Sequence, residues 1–179
     1  MLCFLSLARA STLVVRNLIG GAVFHRLFVL LFLFYAVGSV AQGAEIWLVG
    51  HGEFDDNDNA SNALLIENRT ERKVIGDIKL YYELLFTNQD AIFLGPGLYY
   101  DVQLGKRVLF TPCFGTGYYN RGDDKDLGLS LQWRSGAELA IKMPRKWRVG
   151  FMYHHLSNWG FGSPNPGAES YLISLSKRF

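Results

Sequence analysis

The chain has 179 residues, room for one domain, and is 49% hydrophobic and 15% aromatic with a net charge of +2. That composition excludes a disordered chain. Residues 1–44 carry three basic residues (Arg9, Arg16, Arg26) and no acid, which leaves 15 basic against 16 acidic residues beyond them and no clustered basic face. No nucleic-acid partner is expected.

The first segment reads as an export signal. "FHRLFVLLFLFYAVGSVAQGA" places basic residues before an apolar run from Leu27 to Val40, and small residues follow. This is the layout of a secretory signal peptide, over residues 1–43 with cleavage near 41–44. The apolar run is too short to span a bilayer as a helix, which takes about 20 residues. Cys3 falls in this segment, so Cys113 stands alone in the remainder and no internal disulfide is expected.

From residue 44 onward the chain alternates with period two and shows no helical pattern. Eight extended runs are expected, at about 45–53, 61–69, 74–87, 91–104, 107–120, 127–142, 147–159 and 168–179. The linkers "TERK", "GKR" and "MPRK" are short and basic, whereas "EFDDNDNA", "NRGDDKD" and "GFGSPNPG" are longer, with "TNQD" the short exception in that second class. Eight strands joined alternately by short turns and longer loops predict an all-β, antiparallel, up-and-down barrel. One face of each strand is apolar: Ile78, Leu80, Tyr82, Leu84 and Phe86; Leu127, Leu129, Leu131 and Trp133; Val149, Phe151 and Tyr153. The other face includes Lys79, Glu83, Gln132, Arg134, Glu138 and Arg148, a set able to form a buried ion network.

A soluble lipocalin-like lipid binder would turn the apolar face inward; a transmembrane barrel turns it to lipid. The export signal, the basic turns, the glycines on the polar face and the terminal Phe179 favour the transmembrane barrel in the outer membrane. Both termini are then periplasmic, and the linker 160–167 is an external loop.

Chemistry gathers in "YHHLSNWGFGSPNPGAES", residues 153–170. Alternate residues of a strand share a face, so His155 and Ser157 are neighbours on the lipid-facing side. On the adjacent last strand Glu169 has the same parity. A histidine beside a serine, backed by a carboxylate, is the grouping that activates a hydroxyl nucleophile. Polar groups at the headgroup boundary would form a similar cluster, and a non-catalytic structural or adhesin-like barrel remains the alternative. His154 has inward parity and is expected to hydrogen-bond inside the barrel. No metal or cofactor is called for; His51 and "DDNDN" at 55–59 lack the ligand spacing of a metal site.

The stretch "HLSNWGFGSPNPGAES" resembles the signature of the PagL-type lipid A 3-O-deacylases, eight-stranded outer-membrane esterases. The matching positions are His155, Ser157, Asn158, Gly160, Asn165, Glu169 and Ser170. The likeness extends over residues 91–179 in strand and loop layout and is sharp over 150–171; Trp159 and the "SPNP" prolines are local departures. The resemblance implies a hydrolase acting on an ester-linked acyl chain of lipid A in the outer leaflet. It makes Ser157 the nucleophile, His155 the base and Glu169 its orienting acid. It offers Asn165 and the Gly160 N–H as oxyanion donors, with Asn158 in support. The implied partner is lipid A or lipopolysaccharide, with a homodimer left open. An acyltransferase using the same three residues is the remaining enzymatic alternative.

Overall fold

The computed structural model describes residues 45–55 and 60–179; the expected signal peptide, residues 1–43, lies outside them. The described strands are β1 (Glu45–Phe54), β2 (Ser61–Ile75), β3 (Ile78–Thr87), β4 (Ile92–Tyr99), β5 (Val102–Leu104), β6 (Val108–Asn120), β7 (Leu131–Lys142), β8 (Trp147–Ser157) and β9 (Ala168–Arg178). They form one antiparallel sheet in the order β4-β3-β2-β1-β9-β8-β7-β6-β5, and β4 also pairs with β6. That last pairing closes the barrel. β4 and the three-residue β5 both pair with β6, so they are one stave broken at Tyr100–Asp101. The result is the expected eight-stranded up-and-down barrel.

Two boundaries differ from the sequence reading. "TERK" is not a turn: β2 continues through it to Ile75, and the reversal falls at Gly76–Asp77. Residues 127–130 do not belong to the following strand either. Gly128 adopts φ +79°, and a Cβ there would lie 2.1 Å from the Pro164 carbonyl oxygen. The segment therefore leaves the ladder to pack on the loop 158–167, and Leu127 turns into the core instead of onto the outer face.

Parity sets what each face holds. Val49, Leu64, Phe110, Leu139, Ile141, Val149, Phe151, Ile173 and Leu175 all stand exposed on the outer wall. Ionic groups fill the interior. Arg69 reaches Glu67 and Glu138 at 2.5 Å each, and the Ser174 hydroxyl donates to Glu138 at 2.5 Å. Arg134 pairs with Glu83 and lies 2.7 Å from His154 Nδ1. Toward the short turns, Lys79 lies between Glu71 and Asp101, at 3.2 and 3.7 Å. A soluble lipid-binding barrel would carry the reverse arrangement, so the wall is built to face hydrocarbon.

Toward the long loops the interior becomes apolar, with Phe54, Leu65, Phe93, Leu127, Met152 and Leu172 in one buried cluster. The loop 121–130 closes over it. The Asp124 carboxylate accepts from the Ser61 and Thr87 hydroxyls, both at 2.7 Å, and Lys125 pairs with Asp55 at 2.6 Å.

Glu138 is the acid that joins Arg69 on β2 to Ser174 on β9. Removing one partner of a buried pair costs about 3–5 kcal/mol, because the remaining charge is left without its partner. Glu138→Ala is expected to lower the stability of the barrel in liposomes by that amount, read as the urea midpoint of tryptophan fluorescence. A loss below about 1 kcal/mol, the worth of an exposed pair, would contradict the network.

Candidate active site

The site is built at the loop end of β8 and β9. His155 and Glu169 are direct cross-strand partners in the ladder. Their side chains meet on the outer wall, with His155 Nδ1 2.9 Å from Glu169 Oε1. A carboxylate can only accept, so Nδ1 carries the proton and Nε2 presents its lone pair. Ser157, two residues along β8, shares this face and is half-buried. It stands opposite Trp133 of β7 and past the last β8–β9 pair, Leu156 with Ala168. Among the described residues no hydrogen bond joins the Ser157 hydroxyl to the His155 ring. The structure thus brings His155 and Glu169 into contact and leaves Ser157 adjacent on the same face. His154 points inward to Arg134, as its parity requires.

Asn158 is fully buried and organises the loop that follows. Its amide nitrogen faces the carbonyls of Leu127, Gly162 and Pro164 at 2.8, 3.2 and 3.0 Å. Its own N–H donates to Asn165 Oδ1 at 3.0 Å. The Gly160 N–H, expected as an oxyanion donor, is taken: it donates to Asn158 Oδ1 at 2.9 Å. With its oxygen fixed by the Asn158 backbone, Asn165 keeps its amide NH2 as the free end. The loop 121–130 contributes through Leu127, whose carbonyl anchors Asn158, so two loops distant in sequence hold one another.

Sequence reasoning missed two features. The first is Gly167. It has φ +69°, and a Cβ there would lie 2.6 Å from His155 Cε1. Only a glycine lets the returning chain pass over the imidazole face in this conformation. The "PG" pair at 166–167 signals a turn, but nothing in it says which ring the turn will cover. The second is an aromatic cluster beside Ser157. Trp133 lies 5.8 Å from Trp159 and 5.3 Å from Phe161, ring centre to centre, and Phe114 lies 6.0 Å from Trp159. Trp159 and Phe161 are largely exposed. Phe114, Trp133 and Ser157 come from three neighbouring strands, so the cluster appears only once β6, β7 and β8 are paired.

The fold and the wall define a small transmembrane β-barrel of the outer-membrane type. The crystal structure of the outer membrane enzyme PagL is similar to it, with a TM-score of 0.56 and 17% identity over 74% of this chain and 98% of that one. A de novo designed transmembrane β-barrel is similar with a TM-score of 0.54 and 12% identity, over 78% of this chain and 98% of that one. At these identities the likeness is one of fold. No curated protein matches the chain. The sequence model of the lipid A 3-O-deacylase (PagL) family matches residues 65–178. The chain belongs to that family: it is an outer-membrane lipid A deacylase, a hydrolase.

Gly167→Ala is expected to push the His155 ring off Glu169. A displacement of about 1 Å in a reacting group can cost about a hundredfold in rate. The variant should therefore fold as a heat-modifiable barrel yet deacylate lipid A about a hundredfold more slowly. A rate within about twofold of the parent would show that the glycine does not position the ring.

Proposed function

We propose that the protein is a serine esterase that removes the ester-linked 3-O-acyl chain of lipid A at the external leaflet, with Ser157, His155 and Glu169 as its triad. The observation that carries this reading is the His155–Glu169 hydrogen bond on the lipid-facing wall, with a serine two residues away on the same face.

Ser157 Oγ attacks the acyl carbonyl carbon while His155 Nε2 takes its proton. The Glu169 carboxylate holds Nδ1–H and stabilises the imidazolium. The Asn165 amide NH2 is the donor left to face the oxyanion, since the Gly160 N–H is bound to Asn158. The tetrahedral adduct collapses by breaking the C–O bond to the sugar, and His155 returns its proton to the leaving alkoxide. Water, activated by His155, then attacks the acyl-serine and releases a fatty acid. The hydrogen bond from the Ser157 hydroxyl to His155 Nε2 forms in the substrate complex, where catalytic contacts tighten. One barrel carries all three groups, so the reading needs no second copy.

Depth supports this assignment. Trp147 and Ser157 bound β8, and ten residue steps at about 3.3 Å, tilted by about 40°, rise about 25 Å along the membrane normal. That is the height of the apolar band of such barrels. With Trp147 at the inner interface, Ser157 lies at the outer one, where the ester bonds of lipid A sit below its sugars. The Phe114–Trp133–Trp159–Phe161 cluster offers a rigid apolar surface to the departing chain.

Mass spectrometry of lipid A from cells carrying the parent or Ser157→Ala tests the proposal. The parent should remove one acyl chain and release free fatty acid, and Ser157→Ala should leave lipid A intact although the barrel assembles. Deacylation by the variant would refute the triad, and acyl transfer to another lipid would reassign the enzyme as an acyltransferase. Trp133→Ala should slow hydrolysis of long-chain lipid A by about tenfold, the worth of about 1.4 kcal/mol of aromatic contact. Short-chain nitrophenyl esters should be cleaved at the parental rate. Equal losses on both substrates would place Trp133 in scaffold support instead.

A further inference from the structure

The opposite rim holds a second collection of charges that lipid A deacylation does not use. Lys142 at the end of β7, Lys146 in the turn, Arg148 at the start of β8 and Arg178 at the end of β9 line a cavity of about 470 Å³ with Met143, Trp147 and Phe179. Every ionisable side chain in that lining is cationic. The nearest acids only partly engage them: Arg148 Nη1 lies 3.5 Å from Asp101 and Arg178 Nη2 lies 3.6 Å from Glu71. These are ion-pair separations, too long for good hydrogen bonds. Arg148 is only 9% exposed, and its Nη1 is buried without a hydrogen-bond partner. Asp101 balances the Arg148 charge at ion-pair distance but takes no hydrogen bond from Nη1. Arg145 and Lys146 hold φ of 58° and 66°, as the tight β7–β8 hairpin turn requires.

The cavity lies where a lipid headgroup would be. Trp147 and Phe179 border it, and Lys177 Nζ stands 5.2 Å from the first ring and 5.0 Å from the second. Above them Ile141, Val149 and Leu175 expose a smooth apolar strip on the outer wall. Cations, then an aromatic girdle, then aliphatic wall is the vertical order of phosphate, glycerol backbone and acyl chains in a leaflet. Short turns mark the periplasmic side of such barrels, so this is the inner leaflet.

We propose that this cavity binds the phosphate of an anionic glycerophospholipid of the inner leaflet, with Lys142 and Lys146 as its principal donors. A zwitterionic headgroup brings an ammonium beside Lys142 and Lys146, which no acidic side chain pairs among the described residues, so the site discriminates by charge. The lipid anchors the β7–β8 turn and the end of β9, the two strands that carry His155 and Glu169 at their far ends.

The test reconstitutes the full barrel in nanodiscs of equal phosphatidylglycerol and phosphatidylcholine and counts the lipids retained after release, by native mass spectrometry. The parent is expected to retain phosphatidylglycerol preferentially. A juxtamembrane cation is worth about fivefold in affinity for anionic lipid, so Lys146→Ala should cut that preference about fivefold. Lys142→Ala with Lys146→Ala should abolish it. Both residues are exposed, and a heat-modifiable gel shift confirms that each variant has closed its barrel. Equal retention of the two lipids by the parent would overturn the proposal, as would an unchanged preference in the double variant. Displacement of the lipid by millimolar inorganic phosphate would also overturn it, showing a site for free anions.

Discussion

Everything in this protein follows from closing the backbone on itself. Hydrocarbon offers no hydrogen-bond partner to an open strand edge, so the pairing of β4 with β6 is what allows the sheet to exist in lipid at all. Closure then divides every strand into two faces with no intermediate. Val149, Phe151 and Tyr153 must meet lipid because Arg148, Gly150 and Met152 fill the interior. The same alternation carries His155 and Ser157 outward and sends His154 to Arg134.

The two ends of the interior do different work. From the middle to the short turns the interior is ionic, and its charges pair across strands: Arg134 with Glu83, Arg69 with Glu138, and Lys79 with Glu71 and Asp101. The half toward the long loops is apolar and capped by the 121–130 loop, pinned by Asp124 to hydroxyls of β2 and β3. That cap presents the Leu127 carbonyl to Asn158. The loop after β8 is therefore held from beneath, and its polar groups are largely spent on one another. Asn165, tied to the Asn158 backbone by its oxygen alone, is a side chain in that loop with donor capacity to spare.

The barrel was legible because period-two alternation is strict in a wall that separates lipid from a polar interior. The contact of His155 with Glu169 was legible for the same reason: parity and a single connecting loop put them opposite each other. What alternation does not encode was lost. The 127–130 segment alternates like a strand, yet the left-handed backbone at Gly128 and the Pro164 carbonyl against it pull it into a loop. The commitment of the Gly160 N–H to Asn158 depends on a loop turn centred on Trp159 and Gly160, with φ of 57° and 82°, and no strand rule predicts that. Gly167 looks like a plain turn glycine until the His155 ring is seen beneath it. The partners Glu67, Arg69 and Asp101 escaped notice because a strand pattern shows that a charge faces inward but not which charge it meets.

The interior network also accounts for why the outer site holds its geometry. His155 and Glu169 meet only in one register of β8 against β9; a slip of one residue would turn Glu169 into the barrel and Ser170 out. The outer wall cannot prevent that, because its contacts are apolar and tolerant of sliding, as in Phe151 and Tyr153 against Tyr171. The interior can. In the same slip Ser174 would leave Glu138 and Ile173 or Leu175 would enter against a buried carboxylate, stripping it of a hydrogen bond it now makes at 2.5 Å. Burying a carboxylate against an aliphatic side chain costs far more than sliding an apolar wall. The precision of a site on the lipid face is thus set by polar bonds on the far side of the same two strands.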